Sequence, residues 1–406
     1  MKSADQTVPG AAPRGAVPFI ILGLFGLYTL EFGVVGMLPQ ISTQFQIAAP
    51  TAALLMGVFA LAVALCGPLL VLYSSRLAHK RVLVTALFMF ALSTLLSAVV
   101  TDFRLLLALR VLAALFHPMF YSAAISTTIA LYPPERSAYA VSRAVIGSTV
   151  GMVVGVPVMG AIATTFSYQT AFLFCTAVSL LAGVCILVKL PASAPPRALS
   201  VGQQLSILKA PTLWLNGAAA VLMTTALFSV FSYAAIYLQR QLGLDGTHSS
   251  LMLSLFGIGG VGANLVIGRF LDRHLVATVL ALPWIVLLLY LVLSCWTGSS
   301  LLATGLLLLL WGVVHCCGMV SGQAWLRSVT ATAQDFATSL FLTAANAGVM
   351  AGSSLGGLAF ARAGMRGAFL CGAVFAILAL VTVVLKVLLY GRYASRQAFR
   401  ASSLRY

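Results

Sequence analysis

Pro191-Ala-Ser-Ala-Pro-Pro-Arg197-Ala-Leu-Ser-Val-Gly-Gln-Gln-Leu-Ser-Ile-Leu-Lys209-Ala-Pro211 is the longest polar break in a chain that is otherwise apolar for some twenty residues at a time. Its prolines and basic residues cannot continue a hydrophobic helix. Six apolar runs precede it, near 17–38, 51–73, 82–101, 103–131, 140–164 and 169–190, and six follow, near 213–239, 249–271, 276–297, 300–326, 336–361 and 367–390. The break therefore divides the chain into two sets of six.

A chain of 406 residues that is 61% hydrophobic and 7% charged, with a mean hydropathy of +1.07, cannot keep its apolar surface out of water in a soluble fold. In a bilayer, each run of about 20 residues spans the hydrocarbon as a helix, which satisfies its own backbone groups. The expected fold is all-α integral membrane, with twelve transmembrane helices in two pseudo-symmetric six-helix bundles. The expected organisation is an N-terminal tail 1–16, a bundle 17–190, a linker 191–212, a bundle 213–390 and a basic tail 391–406. The run from Val17 to Leu38 exceeds the core of a signal peptide and reads as an uncleaved first span.

The formal net charge of +16 could suggest nucleic acid, but the basic residues lie between hydrophobic runs and form no patch with interleaved aromatics. With both termini placed inside, Arg104, Arg240, Arg362 and Arg366 fall outside and Arg110 lies within a span. All the other Lys and Arg residues fall inside, as expected for cytoplasmic loops of an inner-membrane protein. The basic tail reads as part of the same retention, with anionic lipid headgroups as its alternative partner. The seven cysteines all sit in apolar runs and read as small reduced hydrophobes.

Two catalytic patterns occur by letter only. Gly257-Ile-Gly259-Gly260-Val-Gly262 fits a dinucleotide fingerprint, but it lies inside a hydrophobic run with no preceding strand. Gly352-Ser353-Ser354-Leu355-Gly356 fits a nucleophile elbow, without the strand-to-helix turn or partners that chemistry needs. Both read as small-residue helix faces. No phosphate-cradling Gly-x-x-x-x-Gly-Lys-Ser/Thr motif is present, and none of the five histidines pairs with another at metal-ligand spacing. The expectation is no cofactor, no metal site and no enzymatic activity.

Glu31 is the one acid inside a span, in Leu27-Tyr28-Thr29-Leu30-Glu31-Phe32-Gly33. Measured from Leu38 it lies about 10 Å below the external end, and Arg110 on the fourth span comes to about the same depth, which makes them candidate partners for proton coupling. An ionisable group at that depth costs several kcal/mol unless paired or neutralised, and such groups face pathways. Burial favours the neutral carboxyl and a nearby guanidinium the charged one, so a group between them can exchange a proton as the site opens and closes. A static buried ion pair is the alternative. Tyr28 lies one turn before Glu31, and Arg110, His117 and Tyr121 share a helix face. On the tenth span Trp311, His315, Gly318 and Gly322 form a stripe beside Gln323. Tyr28, His117, Tyr121, Phe228, Tyr233, His315, Gln323 and Asn346 are the candidate solute-contacting residues, with His117 and His315 equally readable as interhelical hydrogen bonders.

Glu31-Phe-Gly-Val-Val-Gly-Met-Leu-Pro39, Gly67-Pro-Leu-Leu-Val-Leu-Tyr-Ser-Ser75-Arg76-Leu-Ala-His-Lys80-Arg81, Arg110, Pro133-Pro134-Glu135-Arg136 and Gly268-Arg269-Phe-Leu-Asp272-Arg273 occur in that order. Together they resemble the major facilitator superfamily, in particular the twelve-helix drug:proton antiporter group that includes bacterial sugar and drug efflux permeases. The resemblance spans essentially the whole chain. It implies two halves rocking about a central site, and solute export driven by proton entry. It makes Gly67, Ser75, Arg76, Arg81, Gly268, Asp272 and Arg273 gating residues, with Ser75 where the loop signature usually carries an Asp. His117-Pro118 stands where the fourth-span pattern usually has glycine.

The fifth span carries Gly147, Gly151, Gly155 and Pro157. The glycines share one face and suit close helix packing, while Pro157 weakens the helix beyond it. The antiporter group's fifth-span signature, which this stretch resembles with Val156 inserted between Gly155 and Pro157, adds a hinge or a seal against proton leak. The expected function is secondary active export of a small organic solute, sugar or drug-like, by proton antiport in a monomer. A proton-independent facilitator or uptake symporter is the nearer alternative, and a membrane enzyme or sensor the more distant one.

Overall fold

The computed structural model describes residues 14–74, 76–133, 137–191, 209–298, 300–328 and 334–403. Ser75, most of the 1–16 tail and most of the 191–212 linker lie outside the described residues. So do the Pro134-Glu135-Arg136 segment and the side chains of Asp272 and the 391–406 tail.

Every long element is a helix, because sustained apolar runs in hydrocarbon leave the backbone no other partner. They are α1 (Val17–Phe32), α2 (Leu38–Gln44), α3 (Ala49–Ser74), α4 (His79–Val99), α5 (Phe103–Ala130), α6 (Ser137–Thr165), α7 (Tyr168–Lys189), α8 (Pro211–Phe231), α9 (Gly246–Cys295), α10 (Leu301–Arg327) and α11 (Gln334–Ser403). Among the described residues, eleven segments are long and apolar enough to cross a membrane. One of them, Leu340–Tyr390, is 51 residues long, far beyond the roughly 20 that a bilayer needs. It is broken at Ala363 and Gly364, where φ is +60° at the glycine, so it supplies two passages and brings the total to twelve. The helix α9 likewise carries two passages, divided at His274 with φ −132° and ψ 33°.

Passages alternate between a near end, where α1 begins, and a far end. Four helices that start at the far end are capped by their preceding residue: Asp102 accepts from Arg104 N (2.7 Å), Ser167 from Thr170 N (3.1 Å), Asp245 from His248 N (2.7 Å) and Ser300 from Ala303 N (3.4 Å). Asp245 also accepts from the His248 ring (2.8 Å), and the His248 backbone amide, followed by that ring, holds its carboxyl below the usual carboxylate range. A depressed carboxylate stabilises above its unfolded value and loses that contribution as pH falls through the folded one. Asp245→Ala should therefore lower the melting temperature at neutral pH, and the difference from the unsubstituted protein should vanish in acid below the folded value. Melting curves across pH check this.

Within the first six passages α1 packs on α6 and α7, α3 on α5, and α4 on α5 and α7; in the second six α8 packs on α11 and α10, and α9 on α10. The halves meet along two seams, α3 on α11 and α6 on α9. At mid-height of the second seam the backbones nearly touch, since a Cβ at Gly257 would sit 2.5 Å from the Val153 carbonyl oxygen. Pro157 leaves that carbonyl without its own helical donor. Large apolar side chains face outward, Leu265 and Leu302 each 76% exposed, as a lipid-facing belt requires.

Candidate functional site

The site is built where the first span changes pitch. After Phe32 the helix tightens into a 3₁₀ turn, Gly33–Val35, before α2 continues to Gln44. Carbonyls at such a transition accept outside donors, and a cation there complements the helix dipole. Arg110 Nη1 donates to Leu30 O (2.7 Å), Nη2 to Glu31 O (3.1 Å) and Nε to Leu55 O (3.1 Å). The guanidinium also lies 4.7 Å over the Phe59 ring. Arg110, 1% exposed, thereby ties α5 to α1 and α3 through backbone oxygens.

The Glu31 carboxylate turns to His117 instead. Oε2 lies 2.9 Å from Nε2, with the side chains 5% and 0% exposed. The approach is off the ring N–H axis, since neither imidazole nitrogen makes an aligned hydrogen bond. The pairing of Glu31 with Arg110 expected from depth is thus corrected. His117, two turns beyond Arg110 on the same face of α5, meets the carboxylate, while the Arg110 guanidinium hydrogen-bonds the backbone carbonyls of Leu30, Glu31 and Leu55.

Aromatic rings enclose the pair. Tyr28 lies 5.5 Å from His117 and 6.1 Å from Tyr121 between ring centroids, and Phe59 meets His117 edge-on at 5.6 Å. Tyr28 also stacks on Phe32 (6.0 Å), which touches Phe228 of the second half (5.9 Å), and Phe228 touches His315 (5.1 Å). A row of rings therefore joins the two membrane histidines across the halves. Phe32 and Phe59 escaped the sequence reading because no spacing marks a partner that lies across a helix interface.

Other candidates stand apart from this pair. The Tyr233 hydroxyl donates to Ser353 O (2.8 Å) while its ring stacks on Phe360 (5.0 Å), so it clamps α11. Asn346 Nδ2 donates to Leu342 O in its own helix (3.0 Å), leaving Oδ1 buried without a partner. Gln323 is half-buried on α10, two turns beyond His315. Among the gating candidates Arg76, Arg81 and Arg273 are exposed near-end residues, Gly67 is in ordinary packing distance of Pro118, and a Cβ at Gly268 would meet nothing. The Gly268–Arg273 segment is helix, with the break only at His274. Gly147, Gly151 and Gly155 all lie against α1, and Pro157 sits inside α6. Among the described residues no cluster of three metal-binding side chains occurs.

Two six-helix halves meeting beside a buried ionisable pair define a multi-pass membrane transporter. The chain belongs to the Major Facilitator Superfamily, whose family profile matches residues 20–316 and 219–403. It is 26% identical over 370 residues to a protein of Mannheimia succiniciproducens named a probable sugar efflux transporter, covering 91% of this chain and 92% of that one. It is 25% identical to the inner membrane transport protein YdhP of Escherichia coli, covering 90% and 94%. Among solved structures the fold is shared with the nucleoside transporter NupG (TM-score 0.73, 14% identity, 93% and 98% covered). It is also shared with a bacterial homologue of the human lysosomal transporter Spinster, described as inward-facing and occupied (TM-score 0.70, 16% identity, 93% and 97% covered).

Proposed function

We propose that this chain exports a small organic solute, sugar or drug-like, across the inner membrane in exchange for protons, as a monomer with both termini cytoplasmic, and that Glu31 and His117 carry the proton between them. The observation that carries the reading is the 2.9 Å approach of a buried carboxylate to a buried imidazole whose other nitrogen has no hydrogen-bond partner. Such a pair changes charge by taking or losing one proton, and so biases which arrangement of its helices is stable. Arg110, with three of its five N–H donors on backbone carbonyls, holds the α1 backbone and supplies a positive field. The likeness to a named sugar efflux transporter supports export and the solute class, and the likeness to an inner membrane transport protein supports the location. Arg and Lys concentrated at the near end support cytoplasmic termini.

The test uses proteoliposomes loaded with a pH indicator. Adding a labelled glycoside to one side should draw protons from the other side toward it, and an imposed pH gradient should concentrate the glycoside beyond its external level. Equilibration alone, with no proton movement, would make the protein a facilitator with Glu31 structural or solute-binding.

A further inference from the structure

The far end of the molecule holds a cavity that the Glu31 and His117 pair does not use. Its volume is about 360 Å³, within the ~300–1,000 Å³ of small-molecule pockets. Gln40, Thr43 and Gln44 of α2 line it together with Phe166 and Gln169 at the junction of α6 and α7, and Gln239 joins them from the second half. Gln40 Nε2 donates to Thr164 Oγ1 (2.9 Å), while its buried Oε1 has no partner. Buried polar atoms are almost always partnered, so that oxygen points to a donor the protein does not supply. Gln239 sits in a π turn, Tyr237–Gln241, closed by Leu242 N donating to Tyr237 O (3.1 Å). Such turns are rare and occur frequently at functional sites. The halves touch beside the cavity. A Cβ at Gly246, the first residue of α9, would collide with the Thr164 side chain, and one at Gly160 would stand 3.3 Å from Ser250 Oγ.

We propose that Gln40, Gln44, Gln169 and Gln239 form a ligand site at the far mouth, separate from the buried ionisable pair, which takes an uncharged polyhydroxylated molecule and bridges the two halves through it. Each amide offers two N–H donors and a carbonyl acceptor, and neighbouring hydroxyls, which both donate and accept, match that set. Phe166, 73% exposed, offers a ring face to the apolar side of a sugar. None of the ten residues around the cavity carries a charge, so a carboxylate or ammonium on the ligand finds no counter-ion. A ligand held between the first-half glutamines and Gln239 stabilises the arrangement in which the far ends touch, because a ligand favours the state that binds it best. Occupancy from the far side therefore opposes opening of that mouth. The site stands whether or not its ligand is also transported.

The test is protection of an introduced thiol in the full chain in nanodiscs. Thr43, exposed beside the glutamines, is changed by Thr43→Cys and labelled with a polar maleimide, while native Cys295, exposed at the far end of α9, is followed in the same sample by peptide mass spectrometry. Methyl β-D-glucopyranoside or maltose should slow labelling in Thr43→Cys several-fold and leave Cys295 unchanged. Adding Gln239→Ala, in the other half, should raise the sugar concentration needed for protection about tenfold, the worth of one well-placed hydrogen bond, and adding Gln169→Ala should do the same. Both are surface amides, so labelling without sugar should not change in either variant, which shows that the fold is intact. No protection by either sugar, equal protection of Cys295, protection undiminished by both Gln→Ala changes, or stronger protection by glucuronate or glucosamine would overturn the assignment. No flux enters the measurement. Protection in a protein that moves no protons would show the coupling reading failing while this one stands, and proton exchange without protection would show the reverse.

Discussion

Glu31→Gln should abolish solute-driven proton movement, by on the order of a hundredfold or more, while exchange of labelled for unlabelled solute across the same proteoliposomes continues. Glutamine has the shape of the protonated carboxyl and cannot release a proton, so the variant is fixed in one of the two charge states that the Glu31 and His117 pair would otherwise alternate between. Insertion should survive, because the first span is anchored by Arg110 through the carbonyls of Leu30 and Glu31, which the substitution leaves in place. His117→Gln, which removes the imidazole that the carboxylate meets at 2.9 Å, should also weaken coupling while leaving exchange in place. Equal loss of exchange and coupling in Glu31→Gln would instead place the carboxylate in solute binding, and unchanged coupling would remove it from the proton path. The measurement is paired flux of proton and solute in one preparation.

Much of the architecture was legible because bilayer physics is strict. Pro191 to Pro211 divides the runs six and six, and twelve passages follow from the lengths of the apolar runs alone. The site was legible in its members and not in its pairings. Glu31, His117 and Tyr28 stood out as polar residues in expensive places, but depth alone could not foresee that the Arg110 guanidinium would bond the carbonyls of Leu30, Glu31 and Leu55. The carboxylate meets His117 instead. Phe59 and Phe231 look like any buried phenylalanine until the fold sets them against a histidine, and the orphaned nitrogen of Trp311 exists only relative to its neighbours. Sequence periodicity reports which face of a helix is apolar, not what stands opposite it.

Gly151→Ala should cut transport far more than it lowers the melting temperature, and Gly151→Leu should yield no folded protein. A methyl at Gly151 would stand 2.5 Å from Phe25 O and 2.9 Å from Tyr28 Cβ, and the two glycines flanking it along α6 are as tight. At Gly155 the added carbon would meet Thr29 Oγ1 at 2.7 Å, and at Gly147 it would collide with the Ile21 carbonyl oxygen. None of the nearest atoms is the free end of a flexible chain, so α1 and α6 must separate. Overpacking of that kind costs about 1–3 kcal/mol, which a twelve-helix protein survives. The transport consequence is larger because of what α1 carries. Tyr28 and Glu31 ride on the helix that is displaced, and a shift of about 1 Å is enough to undo a 2.9 Å contact with His117, at a cost of order a hundredfold in any step that needs it. Gly262→Ala, where an added carbon meets nothing within 4 Å, is the matched control and should be silent. If Gly151→Ala lost stability and transport in proportion, the stripe would be packing alone. Stable protein with normal exchange and lost coupling would make the α1 and α6 interface the element that sets the proton pair.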